Sequence, residues 1–327
     1  FPTLDSDIQY VRNLGGDIQI SFGGAAGQEL AQTCGDANSL QAQYQAVVNQ
    51  YHLTRLDFDI EGGEEGDSTT YDRRNTALAA LQQANPGLAI SFTLPSATNG
   101  LESSSLGLLN NAVSHGINFS VVNLMTMDYG SPDSQMGQEA INAANSLHSQ
   151  LQAIFPSKSS SQLWSMVGIT PMIGQNDTQG EIFSLSNASQ VLSFATANHI
   201  GELSFWVVSR DNGSCAGSTN ATDTCSGISQ ATNAFTNTWK SFSGGSSGGG
   251  SGAPIGQTIW LKAFNGLYAS ARIDQTNSPL DTSASQVQAW EEYRVVDAGN
   301  GLIALQAVAN GDYVSARLDQ SNTPLEA

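Results

Sequence analysis

The sequence predicts an α/β fold of the (β/α)8 TIM-barrel class, followed by a smaller all-β domain. Short apolar segments alternate with longer helical segments over residues 1–242, at roughly forty residues per pair, and this alternation indicates a parallel sheet covered by helices. Polar residues and glycines directly follow the apolar segments, where (β/α)8 barrels build their active sites. Beyond a Gly/Ser-rich segment the composition changes and a second pattern repeats.

Six segments are predicted to be strands because each is a short apolar run, as expected when both faces of a sheet are covered. They are residues 17–22, 55–61, 88–94, 119–127, 163–169 and 201–207. A doubly wound sheet is the alternative, but no Gly-x-Gly-x-x-Gly sequence opens a helix. Six strands are too few to close an eight-stranded barrel and the chain begins on a helix, so we expect part of the barrel to be missing from this chain.

Helices are predicted between these strands, and several of them end at residues that stop helices. The first, residues 6–14, ends at two glycines, and residues 71–84 are stopped by Asn85-Pro86-Gly87. The others are residues 37–51, 101–115, 137–154, 187–198 and 228–242. Asn187 or Ser189 is expected near the cap of the helix over 187–198.

Residues 243–253 are predicted to be a flexible Gly/Ser linker between a first domain, 1–242, and a second, 254–327. Within the second domain, residues 259–280 recur as residues 303–325, a spacing of 44 to 45 residues. A repeat of that length with short strands and an Asn-Gly turn suits a β-trefoil or a propeller blade. The second copy stops at the end of the sequence, so we expect the third copy of a trefoil to be missing as well.

Composition excludes some classes of partner. Only 12% of the residues are charged and the formal net charge is −18, which argues against nucleic acids and anionic membrane surfaces. A neutral or cationic partner is allowed. The polar character comes from Ser, Asn, Gln, Thr and Gly, as is common in secreted proteins, and no apolar run is long enough to span a membrane.

Cysteine and histidine usage favours a disulfide and gives no support for zinc. Cys215 and Cys225 lie ten residues apart in a loop of small polar residues, which predicts a disulfide. Cys34 is left over, either free and buried or paired with a cysteine outside this chain. The histidines show no ligand-like spacing, so no metal is expected at His52, His115, His148 or His199.

The segment Leu56–Glu61 alternates three apolar residues with three carboxylates. Period-two alternation predicts a strand, with Asp57, Asp59 and Glu61 on one face and neighbours about 7 Å apart. Because like charges at that distance oppose joint ionisation, at least one pKa should be raised. A carboxyl of raised pKa at a strand end suits a general acid; a solvated edge and a Mg²⁺ or Ca²⁺ site are the alternatives.

Three motifs occur in order at strand ends, and together they resemble the chitinases of glycoside hydrolase family eighteen. They are Ser-Phe-Gly-Gly at 21–24, Leu-Asp-Phe-Asp-Ile-Glu at 56–61 and Met-Thr-Met-Asp-Tyr at 125–129, with Trp206 on the last strand. The resemblance covers residues 1–242. It places the acidic segment on the fourth barrel strand, which implies that the first two strands are absent from this chain. The C-terminal repeat resembles a fascin-like β-trefoil carbohydrate-binding module.

The resemblance implies a retaining, substrate-assisted hydrolysis. Glu61 would protonate the leaving glycosidic oxygen and later activate water. Asp59 would orient the substrate's N-acetyl group, whose carbonyl oxygen attacks the anomeric carbon to form an oxazolinium. Asp57 would lie beneath Asp59 and share charge or a proton with it.

The same resemblance implies a set of substrate contacts. Asp128, together with Tyr129, would contact the acetamido group, and Trp206 would form the floor under the sugar, with plain core packing as its alternative. The residues expected to support the acidic strand are Ser21, Gly23 and Gly24. The remaining candidates for substrate binding are Met125, Met127, Met172, Gln175 and Asn176, of which the last three could equally be loop residues.

Two positions depart from the family pattern. The first Asp of the family signature is Thr54 here, at the position farthest from the chemistry, so we expect tuning of activity rather than its loss. Met127 stands where many relatives carry a Tyr that hydrogen-bonds the acetamido oxygen. Tyr129, or a residue from another strand, would have to replace that tyrosine.

The expected protein is a secreted, monomeric hydrolase of β-1,4-N-acetylglucosaminide bonds in chitin or chito-oligosaccharides, without cofactor or metal. An endo-β-N-acetylglucosaminidase acting on glycoprotein glycans and a non-catalytic chitin-binding lectin are the alternatives. Glu61 is retained, which favours a catalyst over a lectin. The trefoil-like domain is expected to bind carbohydrate, with a structural or protein-binding role as its alternative.

Overall fold

The structure, a computed structural model, describes residues 2–242, 256, 258–261, 267–275, 278–299, 302–316 and 325–326. The chain divides into two compact units, Phe1–Gly249 and Gly250–Ala327. The segment predicted to be a linker, 243–253, lies outside the described residues. None of the described helices is both long enough and apolar enough to cross a membrane.

The first unit alternates strands and helices. Its strands are β1 (Ile20–Gly23), β2 (Arg55–Asp59), β3 (Ala89–Pro95), β4 (Phe119–Met125), β5 (Val167–Thr170), β6 (Gly174–Gln175), β7 (Ile182–Phe183) and β8 (Glu202–Leu203). Its helices are α1 (Pro2–Asn13), α2 (Leu30–Thr33), α3 (Ala37–Tyr51), α4 (Ser68–Ala84), α5 (Ser103–Ser114), α6 (Met136–Ile154), α7 (Ser160–Trp164), α8 (Leu185–Asn198) and α9 (Ala234–Trp239). Short 3-10 turns cover Glu64–Gly66 and Val208–Arg210.

Six of the strands form one parallel sheet in the order β1-β2-β3-β4-β5-β8, as the alternation predicts. The register aligns Asp57 with Ser21 on one side and Ser91 on the other. Asp59 is aligned in the same way with Gly23 and with Thr93. The carboxylates of β2 and the hydroxyls of its neighbours therefore share one face of the sheet. This parallel α/β sheet is consistent with a TIM barrel.

The opposite face of the sheet is apolar and packs against the helices. Phe58, Phe92 and Phe119 from adjacent strands are fully or nearly fully buried there. Their rings continue into Tyr44 of α3 at one end, with centroids 5.2 to 6.1 Å apart between neighbours. Such aromatic pairs contribute about 0.5–1.5 kcal/mol each beyond the area that they bury. This packing explains why β2 keeps its apolar side chains outward and its carboxylates inward.

Several predicted element ends are wrong, and the local structure explains two of them. Residues 163 and 164 belong to α7 rather than to the fifth strand. Helix α8 is capped by Ser184 rather than by Asn187 or Ser189, because the Ser184 hydroxyl accepts from the Asn187 N–H in a capping box. Helix α9 begins only after Asn233, whose left-handed φ of 61° prevents the helix from extending towards residue 228. Strand β8 is also shorter than predicted.

The predicted disulfide is confirmed, since Cys215 and Cys225 are bonded with their Cα atoms 5.9 Å apart. Cys34 is outside this bond and partly buried. The guanidinium of Arg210, which is fully buried, connects the disulfide loop to the loop after β5. It donates to the carbonyl oxygens of Thr222 and of Ile173, the latter at 3.0 Å.

The second unit contains short strands. They are β9 (Thr258–Ile259), β10 (Tyr268–Ala271), β11 (Leu280–Ala284), β12 (Tyr293–Gly299), β13 (Leu302–Ala307), β14 (Ser315–Ala316) and β15 (Leu325–Glu326). The described pairings among them are antiparallel, around a small core of Ala271, Tyr293 and Ala307. An all-β unit therefore follows the α/β unit, and the trefoil assignment stays a prediction.

Candidate active site

A cavity of about 540 Å³ opens where the strands of the parallel sheet end. Asp59 is the last residue of β2, Met125 of β4 and Thr170 of β5, and all three line it. The complete lining is Gln19, Ser21, Gly24, Ala25, Asp57, Asp59, Glu61, Thr93, Asn123, Met125, Met127, Asp128, Thr170, Met172, Asp177, Glu202, Phe205 and Trp206. The cavity thus collects residues from every strand of the six-stranded sheet or from the segment next to it.

Asp57 lies at the bottom of the acidic row, with 7% of its surface exposed. Its carboxylate accepts three hydroxyl hydrogen bonds, from Ser21 at 2.6 Å, Ser91 at 2.6 Å and Thr93 at 3.0 Å. Burial raises the pKa of Asp57, and the three hydroxyl donors oppose that rise by stabilising the charged form. Ser21 supports the acidic strand, as expected, through this contact.

Asp59 is the next carboxyl of the row, at the end of β2. Its Oδ1 atom is buried and accepts no hydrogen bond from any described residue. Burial, followed by the charges of Glu61 and Asp57, raises the pKa of Asp59 to about 7. The carboxyl therefore titrates near neutrality, as the close spacing of like charges predicts, and it has an unused oxygen at the cavity.

Glycines bring the end of β1 against the backbone of Asp59. The Gly24 N–H donates to the Asp59 carbonyl oxygen at 2.9 Å. Gly23 has a φ of +109°, and a Cβ atom at this position would lie 2.0 Å from the same oxygen. Only glycine fits at position 23 without moving the strand, so the expected support by Gly23 and Gly24 acts through the backbone.

Glu61 lies two residues beyond the end of β2, at the outer end of the row. It remains in line with the strand because the N–H of Ile60 donates to the Thr93 carbonyl oxygen at 3.0 Å. The side chain is half-buried at the cavity, and burial, followed by the charge of Glu65, raises its pKa. Glu61 is thus a carboxyl of raised pKa in a position that solvent and ligands can reach.

Sequence reasoning missed the polar residues that complete the inner face. Asn123 donates to Thr93 Oγ1 at 3.2 Å and Ser204 donates to Thr170 Oγ1 at 2.9 Å. Glu202, on β8, lines the cavity, and burial and the charge of Asp57 raise its pKa to about 7. Period-two alternation within each strand would have predicted that most of these side chains face the interior of the site. Their proximity to Asp57 depends on the register between strands, which alternation does not give.

Asp128 lines both the cavity and a neighbouring pocket, whereas Tyr129 lines only the neighbouring one. Asp128 lines the cavity, has a left-handed φ of 54° and accepts the N–H of Thr178 at 2.7 Å. Tyr129 instead lines a neighbouring pocket of about 280 Å³ between the loops after β3 and β4, which also contains Glu102. Tyr129 is not among the residues that line the cavity, and the replacement of the family tyrosine by Tyr129 or by a residue from another strand stays a prediction.

Apolar side chains form the remaining walls. Met125, Met127, Met172 and Trp206 all line the cavity, and their contact with substrate stays a prediction. Trp206 is 38% exposed, so it is not a core residue. The guanidinium carbon of Arg210 lies 5.2 Å from the centre of the Trp206 ring, a cation–π contact that fixes the ring from its protein side.

Gln175 and Asn176, expected as subsite walls, do not reach the cavity. Both are buried, with exposed fractions of 4% and 0%. The Asn176 amide donates to the carbonyl oxygens of Met172 at 2.9 Å and Gly174 at 3.1 Å. The Gln175 amide likewise donates to backbone carbonyl oxygens of its own hairpin. Their role is to shape the loop after β5.

Among the residues that the structure describes, no group of three or more His, Cys, Asp or Glu side chains is arranged to hold a metal ion. The site instead presents carboxyls of raised pKa beside methionine and tryptophan surfaces. Such a site can supply general acid and base catalysis to a bond in a ligand that stacks on an apolar wall.

Comparisons with known proteins agree on one family. The model of "Glycosyl hydrolases family 18" matches residues 6–199. Among curated proteins, the "Probable bifunctional chitinase/lysozyme" of Escherichia coli strain K12 is 37% identical over 219 residues, covering 63% of this chain and 24% of that protein. "Endochitinase 11" of Metarhizium anisopliae is 36% identical over 219 residues, covering 63% of this chain and 42% of that protein. The chain thus spans less than half the length of either relative.

Solved structures give the same result. The catalytic domain of a hyperthermophilic chitinase from Pyrococcus furiosus superposes with a TM-score of 0.68 at 32% identity, covering 76% of this chain and 79% of that chain. Catalytic site mutants of active domain 2 of the Pyrococcus furiosus chitinase, complexed with chito-oligosaccharides, superpose with a TM-score of 0.67 at 33% identity, covering 72% of this chain and 75% of that chain.

Proposed function

The chain belongs to glycosyl hydrolase family 18, and on this premise we propose that it hydrolyses the β-1,4 bonds between N-acetylglucosamine units in chitin or chito-oligosaccharides. The observation that carries the proposal is the ordered row of carboxyls, with Asp57 at the bottom, Asp59 above it and Glu61 at the reachable end. In this row Asp57 would supply a fixed charge, Asp59 would orient the substrate and Glu61 would act as the acid.

The proposed substrate fits the walls of the cavity. Trp206 and the three methionines offer apolar surface on which the face of a sugar ring can stack. The net charge of −18 disfavours anionic polymers and is compatible with an uncharged one. The complex of a related Pyrococcus furiosus chitinase with chito-oligosaccharides supports the same substrate class.

We propose a retaining, substrate-assisted reaction in two steps. In the first, Glu61 donates its proton to the glycosidic oxygen, the bond from that oxygen to the anomeric carbon breaks, and the acetamido carbonyl oxygen bonds to the same carbon. The result is an oxazolinium. In the second, Glu61, now a carboxylate, removes a proton from water as the water oxygen attacks the anomeric carbon and reopens the ring. The raised pKa of Glu61 supports the first of these roles.

Asp59 and Asp57 are proposed to prepare the acetamido group. The unused Oδ1 of Asp59 is an acceptor that the acetamido N–H can satisfy, which would turn the carbonyl oxygen towards the anomeric carbon. Asp57, held by three hydroxyls, keeps its place beneath Asp59 and adds a negative charge that raises the pKa of Asp59. It acts on Asp59 through charge, since no hydrogen bond joins the two carboxyls among the contacts described.

The second unit is proposed to bind carbohydrate, and the whole protein to be a secreted monomer. The disulfide between Cys215 and Cys225 supports an oxidising destination. The support for a carbohydrate-binding module is the internal repeat and the small antiparallel strands around a shared core.

Replacing the proposed acid tests the catalytic assignment. In Glu61→Gln the amide cannot donate the proton, so we expect kcat for a soluble chitin hexamer to fall by about 10²–10⁴-fold while the binding constant of the hexamer changes little. Initial rates by product chromatography and titration calorimetry measure the two quantities.

Glu64→Gln is the matched control, because Glu64 is a nearby acidic residue that does not line the cavity. It should retain wild-type turnover. Undiminished turnover by Glu61→Gln would contradict the assignment of the acid. A wild-type protein that binds the hexamer without cleaving it would indicate a lectin instead.

A further inference from the structure

We propose that Glu181 is a positioning residue that fixes Asp128 for contact with substrate, an inference that rests on the proposed function. Glu181 is fully buried although it is a carboxylate. It accepts three hydrogen bonds from consecutive backbone N–H groups of the loop after β4: Tyr129 at 3.1 Å, Gly130 at 2.9 Å and Ser131 at 3.3 Å. This loop segment begins at the residue directly after Asp128.

Three successive N–H groups pointing at one anion form a concave binding site of the kind that loops use for phosphates and carboxylates. Here the anion is a side chain of the same protein, supplied by the hairpin between β6 and β7. Hydrogen bonds to an ionised acceptor are about twice as strong as neutral ones, so one side chain holds the directions of three peptide groups.

The hairpin and the loop are joined by further contacts in both directions. Asp128 Oδ1 accepts the Thr178 N–H at 2.7 Å. The Asp133 N–H donates to the Gly180 carbonyl oxygen at 3.1 Å, and the Ile182 N–H donates to the Asp133 carbonyl oxygen at 3.2 Å. Glu181 is at the centre of this set, and it is the only carboxylate among the described residues that bonds to the Tyr129–Ser131 N–H groups.

Asp128 needs such support because its backbone is in the left-handed region, with a φ of 54°. A residue with a Cβ atom enters this region at an energetic cost, and it remains there only when its surroundings determine the conformation. The peptide bond that follows Asp128 carries the N–H of Tyr129, and this N–H donates to Glu181. Glu181 therefore fixes the peptide that sets the direction of the Asp128 side chain.

Asp128 is in turn the point at which this loop meets the cavity, next to Met127. Its Oδ1 is engaged by Thr178, and no described residue donates to Oδ2, which leaves one oxygen for a donor on the substrate. If the peptide after Asp128 were released, this oxygen would lose its fixed place. Loss of Glu181 should therefore lower kcat/KM by displacing Asp128, although Glu181 does not line the cavity.

A double-mutant cycle tests this route. We expect Glu181→Ala to lower kcat/KM for the chitin hexamer by about 10- to 100-fold, and Asp128→Ala to lower it at least as much. In the Asp128→Ala background, Glu181→Ala should cost less than about threefold further, because the residue through which it acts is already absent. Glu181→Gln retains one acceptor oxygen and should rescue part of the loss.

Asp36→Ala is the matched control. Asp36 is also a carboxylate that accepts two backbone N–H groups, from Asn38 and Ser39 at 2.9 Å each, but at the start of α3 and away from the cavity lining. It should lower the melting temperature and leave kcat/KM of the folded fraction unchanged. This comparison separates loss of a carboxylate that accepts backbone N–H groups from loss of the position of Asp128.

Additive effects of Glu181→Ala and Asp128→Ala would overturn the inference, as would wild-type kcat/KM in Glu181→Ala. If Glu181→Ala does not fold, the same cycle is measured with Glu181→Gln, and additive effects of Glu181→Gln and Asp128→Ala would likewise overturn the inference. Failure of the proposed function is recognised separately, because Glu61→Gln would then turn over the hexamer at the wild-type rate whatever the result at Glu181.

Discussion

At the scale of single residues, the proton on Asp59 links the active site to the stability of the fold. The pKa of this carboxyl rises from 3.8 to about 7 on folding, so the native state keeps the proton to a higher pH than the unfolded chain does. The free energy of unfolding contributed by Asp59 is therefore fully present below about pH 4 and is lost as the pH rises through about 7.

Asp59→Asn should remove this part of the pH dependence, because the amide does not titrate. We expect urea unfolding between pH 4 and 8 to show a smaller loss of stability for the variant than for the wild type. Asp36→Asn is the control, because the pKa of Asp36 is lowered by its backbone hydrogen bonds and changes stability only at more acidic pH. An unchanged pH slope in Asp59→Asn would show that Asp59 does not carry the proton.

The sequence predicted the carboxyl row at this scale but not its surroundings. Alternation within one strand is a local property, so Asp57, Asp59 and Glu61 could be placed on one face from residues 56–61 alone. The three donors to Asp57 come from two strands, β1 and β3, at 34 or 36 residues distance in sequence, and only strand register brings them together. The place of Tyr129 depends in the same way on the turn after Asp128.

At the scale of elements, the close approach of β1 to β2 requires a glycine at position 23. An added Cβ would meet the Asp59 carbonyl oxygen at 2.0 Å and would also face a φ of +109°. Gly23→Ala should therefore lower the free energy of unfolding by about 2–4 kcal/mol, from strain and overpacking together, and reduce kcat through displacement of Asp59. Urea unfolding and hexamer hydrolysis measure the two effects.

Gly27→Ala provides the control for Gly23→Ala, because Gly27 has a similar φ of +95° but nothing within 4 Å of an added Cβ. It should show the cost of backbone strain alone, about 1–2 kcal/mol. Equal costs for the two variants would mean that the contact with Asp59 is not tight.

Strand order and most helices could be predicted because they depend on local periodicity and on short connections. Helix α3 was predicted to its last residue, and the six strands follow the predicted order. The start of α9 was not predicted correctly, because it depends on a distant residue. Asp211, a buried carboxylate, accepts the N–H groups of Phe235 and Thr236 from 24 and 25 residues away. The hairpin of β6 and β7 was missed because each strand has only two residues, too few to show an alternation.

At the scale of the whole molecule, the two units allow binding and catalysis to be separated. If the second unit binds carbohydrate, it acts by holding the enzyme near an insoluble substrate and adds nothing for a soluble one. Deletion of residues 254–327 should therefore reduce the rate of release of soluble products from chitin particles and leave kcat/KM for the hexamer unchanged. Equal loss on both substrates would contradict the tethering role.

The acidic row of β2 can also be described by depth. Asp57 is the most buried carboxyl, Asp59 is less buried and Glu61 the least, although all three are on one short segment. Solvent and substrate therefore meet Glu61 before the inner two carboxyls, and in the proposed reaction the attacking water returns the proton that Glu61 gives up in the first step. The same alternation that orders the carboxyls therefore also sets which of them is closest to solvent and substrate.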